Sequence, residues 1–139
     1  MKRAVSIILA VVILSSVLSV PVIAERASDQ IASYSVGIVP RGNGKVEVTV
    51  NIGGTHRQMT RIGFPSILLY ERNNSSSPWV TKYVTGPHYN PTVPAGSHTY
   101  TFTYQGVAGR QYYAHATFFA RDNLGSDSRQ ASSPFITAT

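Results

Sequence analysis

Between Lys45 and Ile52 apolar and polar side chains alternate without a fault, Val46, Val48, Val50 and Ile52 against Lys45, Glu47, Thr49 and Asn51. A period of two sends the two sets to opposite faces of an extended chain, so this stretch predicts a strand with one buried and one wet face. The pattern recurs. Tyr34, Val36 and Ile38 alternate within Ile31–Val39. In Ser66–Arg72, Ile67 and Leu69 oppose Leu68 and Tyr70; in Trp79–Thr85, Trp79, Thr81 and Tyr83 oppose Val80, Lys82 and Val84. Ser97–Gln105 puts Tyr100, Phe102 and Tyr104 opposite Thr99, Thr101 and Thr103. The longest run follows the turn Gly106–Gly109 and closes at Arg121–Gly125. There Tyr112, Ala114, Ala116, Phe118 and Ala120 share one face, and Tyr113 and Phe119 take the other. Ser128–Thr139 predicts a last strand, with Pro134 at an edge or bulge.

Turn signals separate these runs: Pro40–Gly44, Gly53-Gly54, Asn73–Pro78, and a crossover from Gly86 to Gly96 that holds three prolines. Pro65 has no N–H to give a ladder, so a central strand is expected to start only after it. The sum is about seven antiparallel strands and no helix, which suits an all-β, two-sheet sandwich; a small barrel is the alternative. Tyr112 stands three residues after Gly109 at the opening of a central strand, which resembles the tyrosine corner of immunoglobulin-like and fibronectin type III sandwiches. Those with a disulfide carry Cys two residues after the Tyr; here Ala114 stands there, and the core must close by packing alone.

Residues 1–24 read differently. Lys2 and Arg3 precede an apolar run, Ile7–Leu18, and Val22-Ile23-Ala24 offers small residues for cleavage. This is the pattern of a signal peptide, and it predicts secretion with no membrane attachment after cleavage. A polar leader, 25–30, and one domain, 31–139, follow. The chain has no Cys; no disulfide can staple it, and Cys-free export fits a bacterium better than a eukaryote. Without Lys2 and Arg3, ten basic and six acidic side chains remain, a formal +4. The basic residues are dispersed, with no run or arm to track nucleic acid, and a monomer is expected.

Catalysis needs ionisable groups brought together, and here they are few. Glu25 and Asp29 lie in the leader, Glu47 on a wet face and Glu71 at a strand end. Asp122 and Asp127 flank a turn, which the turn chemistry of Asp explains better than a calcium loop does. His56, His88, His98 and His115 show no ligand-pair spacing. No phosphate loop, dinucleotide fingerprint or nucleophile elbow is present. The expectation is therefore no catalytic residue, no metal and no cofactor. The aromatics exceed what one core face requires. Cross-strand ring pairing accounts for most of them; Trp79, Tyr83 and Tyr89 form the best candidate ligand patch. The expected role is a secreted, non-enzymatic module that binds an extracellular protein or glycan. A secreted toxin or signalling protein is the alternative, and a hydrolase with a dispersed triad the more distant one.

One further resemblance rests on Gly42-Asn43-Gly44-Lys45-Val46, Met59-Thr60, Ile62-Gly63, Tyr70-Glu71, Trp79, Tyr104-Gln105-Gly106, Ala108-Gly109, Tyr112-Tyr113-Ala114 and Gly125-Ser126-Asp127. The set is similar to a domain of unknown function found in small secreted proteins of Gram-positive bacteria. The resemblance implies secretion and a compact β-domain, and brings no catalytic or ligand residue with it.

Overall fold

A computed structural model describes residues 28–139; the expected signal peptide, 1–24, lies outside the described residues. Nine strands follow one another: β1 (Ile31–Gly42), β2 (Lys45–Gly54), β3 (Arg61–Arg72), β4 (Val80–Thr85), β5 (His88–Tyr89), β6 (Ser97–Gln105), β7 (Gln111–Arg121), β8 (Ser126–Ser132) and β9 (Ile136–Thr137). They form two antiparallel sheets. The smaller runs β1-β2-β6; the larger runs β4-β3-β7-β8, with β5 on β3 and β9 on β7. No helix occurs among the described residues. The protein is an all-β sandwich.

The alternating runs fold as their pattern dictates. Val46, Val48 and Val50 of β2 are wholly buried, as are Ile67 and Leu69 of β3 and the face of β7 that runs from Tyr112 through Ala114, Ala116 and Phe118 to Ala120. Phe64 meets Phe118 edge-on at 5.7 Å in the middle of this core. Burying each large apolar side chain contributes roughly 1.5–3 kcal/mol, which makes the inner faces the main source of stability. The β1–β2 hairpin turns on Asn43 (φ 53°) and Gly44 (φ 76°). Two left-handed residues make the primed turn whose twist matches that of the flanking strands.

Tyr112 opens β7 with the bond expected of it. Its hydroxyl accepts a hydrogen bond from the Val107 amide at 2.8 Å and donates one to the buried Glu71 carboxylate at 2.5 Å. Gly109, left-handed at φ 86°, turns the chain so that its amide reaches the Ala138 carbonyl, 2.8 Å away.

Three expectations change. Arg61–Arg72 is one strand, and Pro65 does not delay it. Across β7, Gly63 faces Phe119 and Ser66 faces Thr117, so Phe64 and Pro65 together oppose Phe118. On the other side β5 stops at Phe64 and β4 starts at Ile67. Pro65 thus sits in a bulge, where its missing N–H leaves no ladder bond unmade. The expected last strand divides at Ser133–Phe135 into β8 and β9, which take successive lengths of β7. With β5 included, the seven expected strands become nine. Lastly, Leu69 pairs with Tyr83 but Tyr70 pairs with Thr81, which leaves Lys82 as an extra residue in β4. That bulge shifts the alternation by one and reverses the facing of everything before it.

Candidate functional site

The Lys82 bulge takes the expected aromatic patch apart. Tyr83 turns inward across the sandwich, 5.3 Å from Phe102 and 5.9 Å from Tyr104 between ring centroids. Trp79 goes to the outer face of the larger sheet, edge-on to Tyr113 at 4.6 Å. Tyr89 lies near the other end of β3, beside Phe119 and beneath the Arg61 guanidinium. Trp79 and Tyr89 lie at opposite ends of the outer face and Tyr83 on the inner one, so the three form no common patch. The surplus rings are consumed by one another: Tyr70 stacks on Tyr113 at 4.7 Å, and Arg72 covers Trp79 at 4.4 Å. These are cross-strand pairs, each worth about 0.5–1.5 kcal/mol, that close the outer face of the sheet.

What the fold does assemble lies at the end of the sandwich where β2, β6 and β7 meet their loops. The turn after β7 places Asp122 so that its Oδ1 accepts the amides of Leu124 (2.8 Å) and Gly125 (2.9 Å). This is the turn chemistry that Asp supplies. The second oxygen is left over, and the loop after β2 brings His56 to it: Nε2 lies 2.8 Å from Asp122 Oδ2. The Nδ1 atom of His56 accepts the Gln58 amide at 3.1 Å. An acceptor at Nδ1 assigns the ring proton to Nε2, which then donates to the carboxylate. The Asp122 side chain is 2% exposed and that of His56 42%. The hydrogen bond from His56, then the two turn amides, hold the Asp122 carboxyl below its ordinary range. His56 lines a cleft of about 750 Å³ with Gln58, Thr60, Val93, Pro94 and Asn123.

The pair joins residues 66 apart in sequence, so spacing gave no sign of it. Asp122 was legible only as a turn residue, which it also is. The other histidines are dispersed. His88 stacks on Tyr100 at 3.7 Å and bonds Thr85. His98 stacks on Phe64, and burial first, then the nearby His88, lowers its pKa. His115 reaches Ser132 from the outer face. Among the described residues no hydroxyl joins the His56–Asp122 pair to make a triad: Thr60 donates its own to the Arg121 carbonyl. Among the described residues no three His, Asp or Glu side chains converge as metal ligands. Asp127, one of the two carboxylates weighed for calcium, pairs with Arg129 instead.

No family model matches the chain. No curated protein matches it. Among solved structures, the chain is similar to a superoxide reductase (neelaredoxin) from Archaeoglobus fulgidus, a point mutant in the reduced form. The identity is 15% and the TM-score 0.44, over 81% of this chain and 94% of that one. A likeness of that degree transfers no residue role or chemistry. Set beside an enzyme's structure, the expectation of a non-enzymatic interaction module is withdrawn. A β-sandwich by itself gives no ground for a binding role. The residue ground fails too, because Trp79, Tyr83 and Tyr89 are not brought together.

Proposed function

We propose that this chain is an exported β-sandwich whose cleft beside His56 is an acid–base catalytic site. The observation that carries this reading is a buried carboxylate, Asp122, fixed by two amides and bonded to a half-exposed imidazole on the wall of the larger cleft. A carboxylate so placed sets the ring's tautomer and stabilises the imidazolium once formed. His56 would take a proton at Nδ1, after the weak Gln58 bond gives way, from a water whose oxygen attacks the carbonyl carbon of a small ester or amide, and would return it to the leaving alkoxide or amine as the C–O or C–N bond breaks. Val93 and Pro94 offer the apolar wall of the cleft, and Gln58 and Asn123 its polar groups.

The reading includes an immunoglobulin-like arrangement. Taken in order, β1, β2 and β6 stand for strands A, B and E, and β3, β7 and β8 for C, F and G, with β4 beside C instead of beside E. The Tyr112–Val107 bond is the matching corner. Export rests on the charged, apolar and small-residue order of residues 2–24.

The test is turnover of a panel of chromogenic small esters and amides by the folded domain, its His56→Gln variant and its Asp122→Asn variant. Asn keeps an oxygen for the turn amides but opposes the His56 proton. Both variants are expected to lose roughly 10²–10⁴-fold in kcat with the fold intact by circular dichroism. Turnover that survives His56→Gln, or no turnover by the wild type on any substrate, sinks the reading.

A further inference from the structure

A second hollow, of about 350 Å³, lies at the opposite end of the sandwich. The length of β3 separates it from His56, on the order of 35–40 Å at the rise of an extended chain. Its walls are the end of β3 with Glu71 and Arg72, the turn from Asn73, Lys82 of β4, and Arg110 from the loop before β7.

The charges there do not balance. Glu71 is the one carboxylate on its walls. The Oε2 atom of Glu71 takes the Tyr112 hydroxyl. The Oε1 atom serves two cations at once, Arg110 at 2.8 Å and Lys82 at 3.4 Å. Arg72, the third cation, is held by Gln111 at 2.6 Å and by the Trp79 ring. Two cations thus share one committed carboxylate, and Arg72 adds positive charge at the rim, its guanidinium laid over the outer-face Trp79. A surplus of positive charge beside low-dielectric walls focuses the field into such a hollow and draws anions to it. The side chains of Lys82 and Arg110 remain 38% exposed, so a ligand can reach them.

We infer that this hollow binds a tetrahedral oxyanion, the phosphate or sulfate group of a ligand. A planar carboxylate is satisfied by a single guanidinium fork. Cations that converge from β4 and a loop, with a third at the rim, suit a group whose oxygens point in more than two directions. Glu71 positions them: its bond to Tyr112 fixes the carboxylate, and the carboxylate aims Arg110 and Lys82.

The inference stands apart from the His56 cleft and is tested without turnover. Inorganic phosphate, sulfate and acetate are each titrated into the ¹⁵N-labelled domain at constant ionic strength, with amide shifts read at Asn73, Lys82 and Arg110. Phosphate or sulfate is expected to give saturable shifts at these positions and acetate none. Lys82→Gln, a half-exposed site where the fold should survive, is expected to weaken the oxyanion about fivefold or more. Linear shifts, an equal response to acetate, or unchanged affinity in Lys82→Gln would overturn it.

Discussion

Tyr112 shows how much one hydroxyl can hold. It sits between the Val107 amide and the Glu71 carboxylate, and burial first, then Glu71, pushes its pKa up to about 12. Burial alone would raise Glu71, but the bonds from Tyr112 and Arg110, with the charges of Lys82 and Arg110, outweigh it and lower the pKa. Tyr112→Phe leaves a part-buried amide and a buried carboxylate each short of a partner. Urea unfolding is expected to show a loss of about 1–3 kcal/mol. A loss near zero would assign the corner to another group. Asp122 makes the same point at the other end of the molecule: one oxygen serves its own turn and the other a histidine from another loop.

At the scale of the element, two single-residue features decide what faces where. The Asn43-Gly44 turn sets the β1–β2 register, and it also touches the loop before β7. A Cβ on Gly44 would lie 2.7 Å from the Gly106 carbonyl oxygen and 2.9 Å from the Ala108 amide, at a φ of +76°. Gly44→Ala is therefore expected to cost roughly 1–3 kcal/mol, measured as a fall in thermal midpoint. Gly42→Ala, with φ +81° but open space around it, should cost less, so the difference between the two isolates the contact from the backbone strain. The Lys82 bulge is the second feature. Strict alternation across Trp79–Thr85 puts Trp79 and Tyr83 together, and one extra residue separates them. Runs without a bulge, β2 and β7, kept every facing that their sequence implied. β3, whose bulge lies before Ser66, also kept Ile67 and Leu69 inward, while β4, whose bulge falls inside the run, did not keep its facing.

For the whole molecule, the ionisable groups at the two ends and in the core give stability a defined pH window. His98, Glu71 and Asp122 have lowered pKa values in the fold. The unfolded chain therefore takes up protons first as pH falls, and their contributions are present above the ordinary values of 6.5, 4.5 and 3.8 and lost below them. Tyr112 is raised, so the folded chain keeps its proton longer. That contribution is whole below pH 10.0 and is lost as pH climbs toward about 12. Chemical denaturation across pH is expected to show a plateau from about 6.5 to 10, a shallow decline below 6.5, a steeper one below about 4.5 and a fall above 10. A maximum near pH 4 would contradict these assignments.

The sequence by itself determined the sandwich: seven of its strands and most of their buried faces are written in short-range alternation and turn residues. Such signals reach only a few residues along the chain, and side-chain period, glycine freedom and proline's missing N–H act over that range. The tertiary structure alone decided what lies together at the ends of the strands. The pairing of His56 with Asp122 joins loops of two sheets that close on each other, and the convergence of Lys82 and Arg110 on Glu71 joins neighbouring strands of the larger sheet that are distant in sequence. No local pattern encodes those meetings. A bulge of one residue was enough to dissolve the surface that the local pattern did suggest.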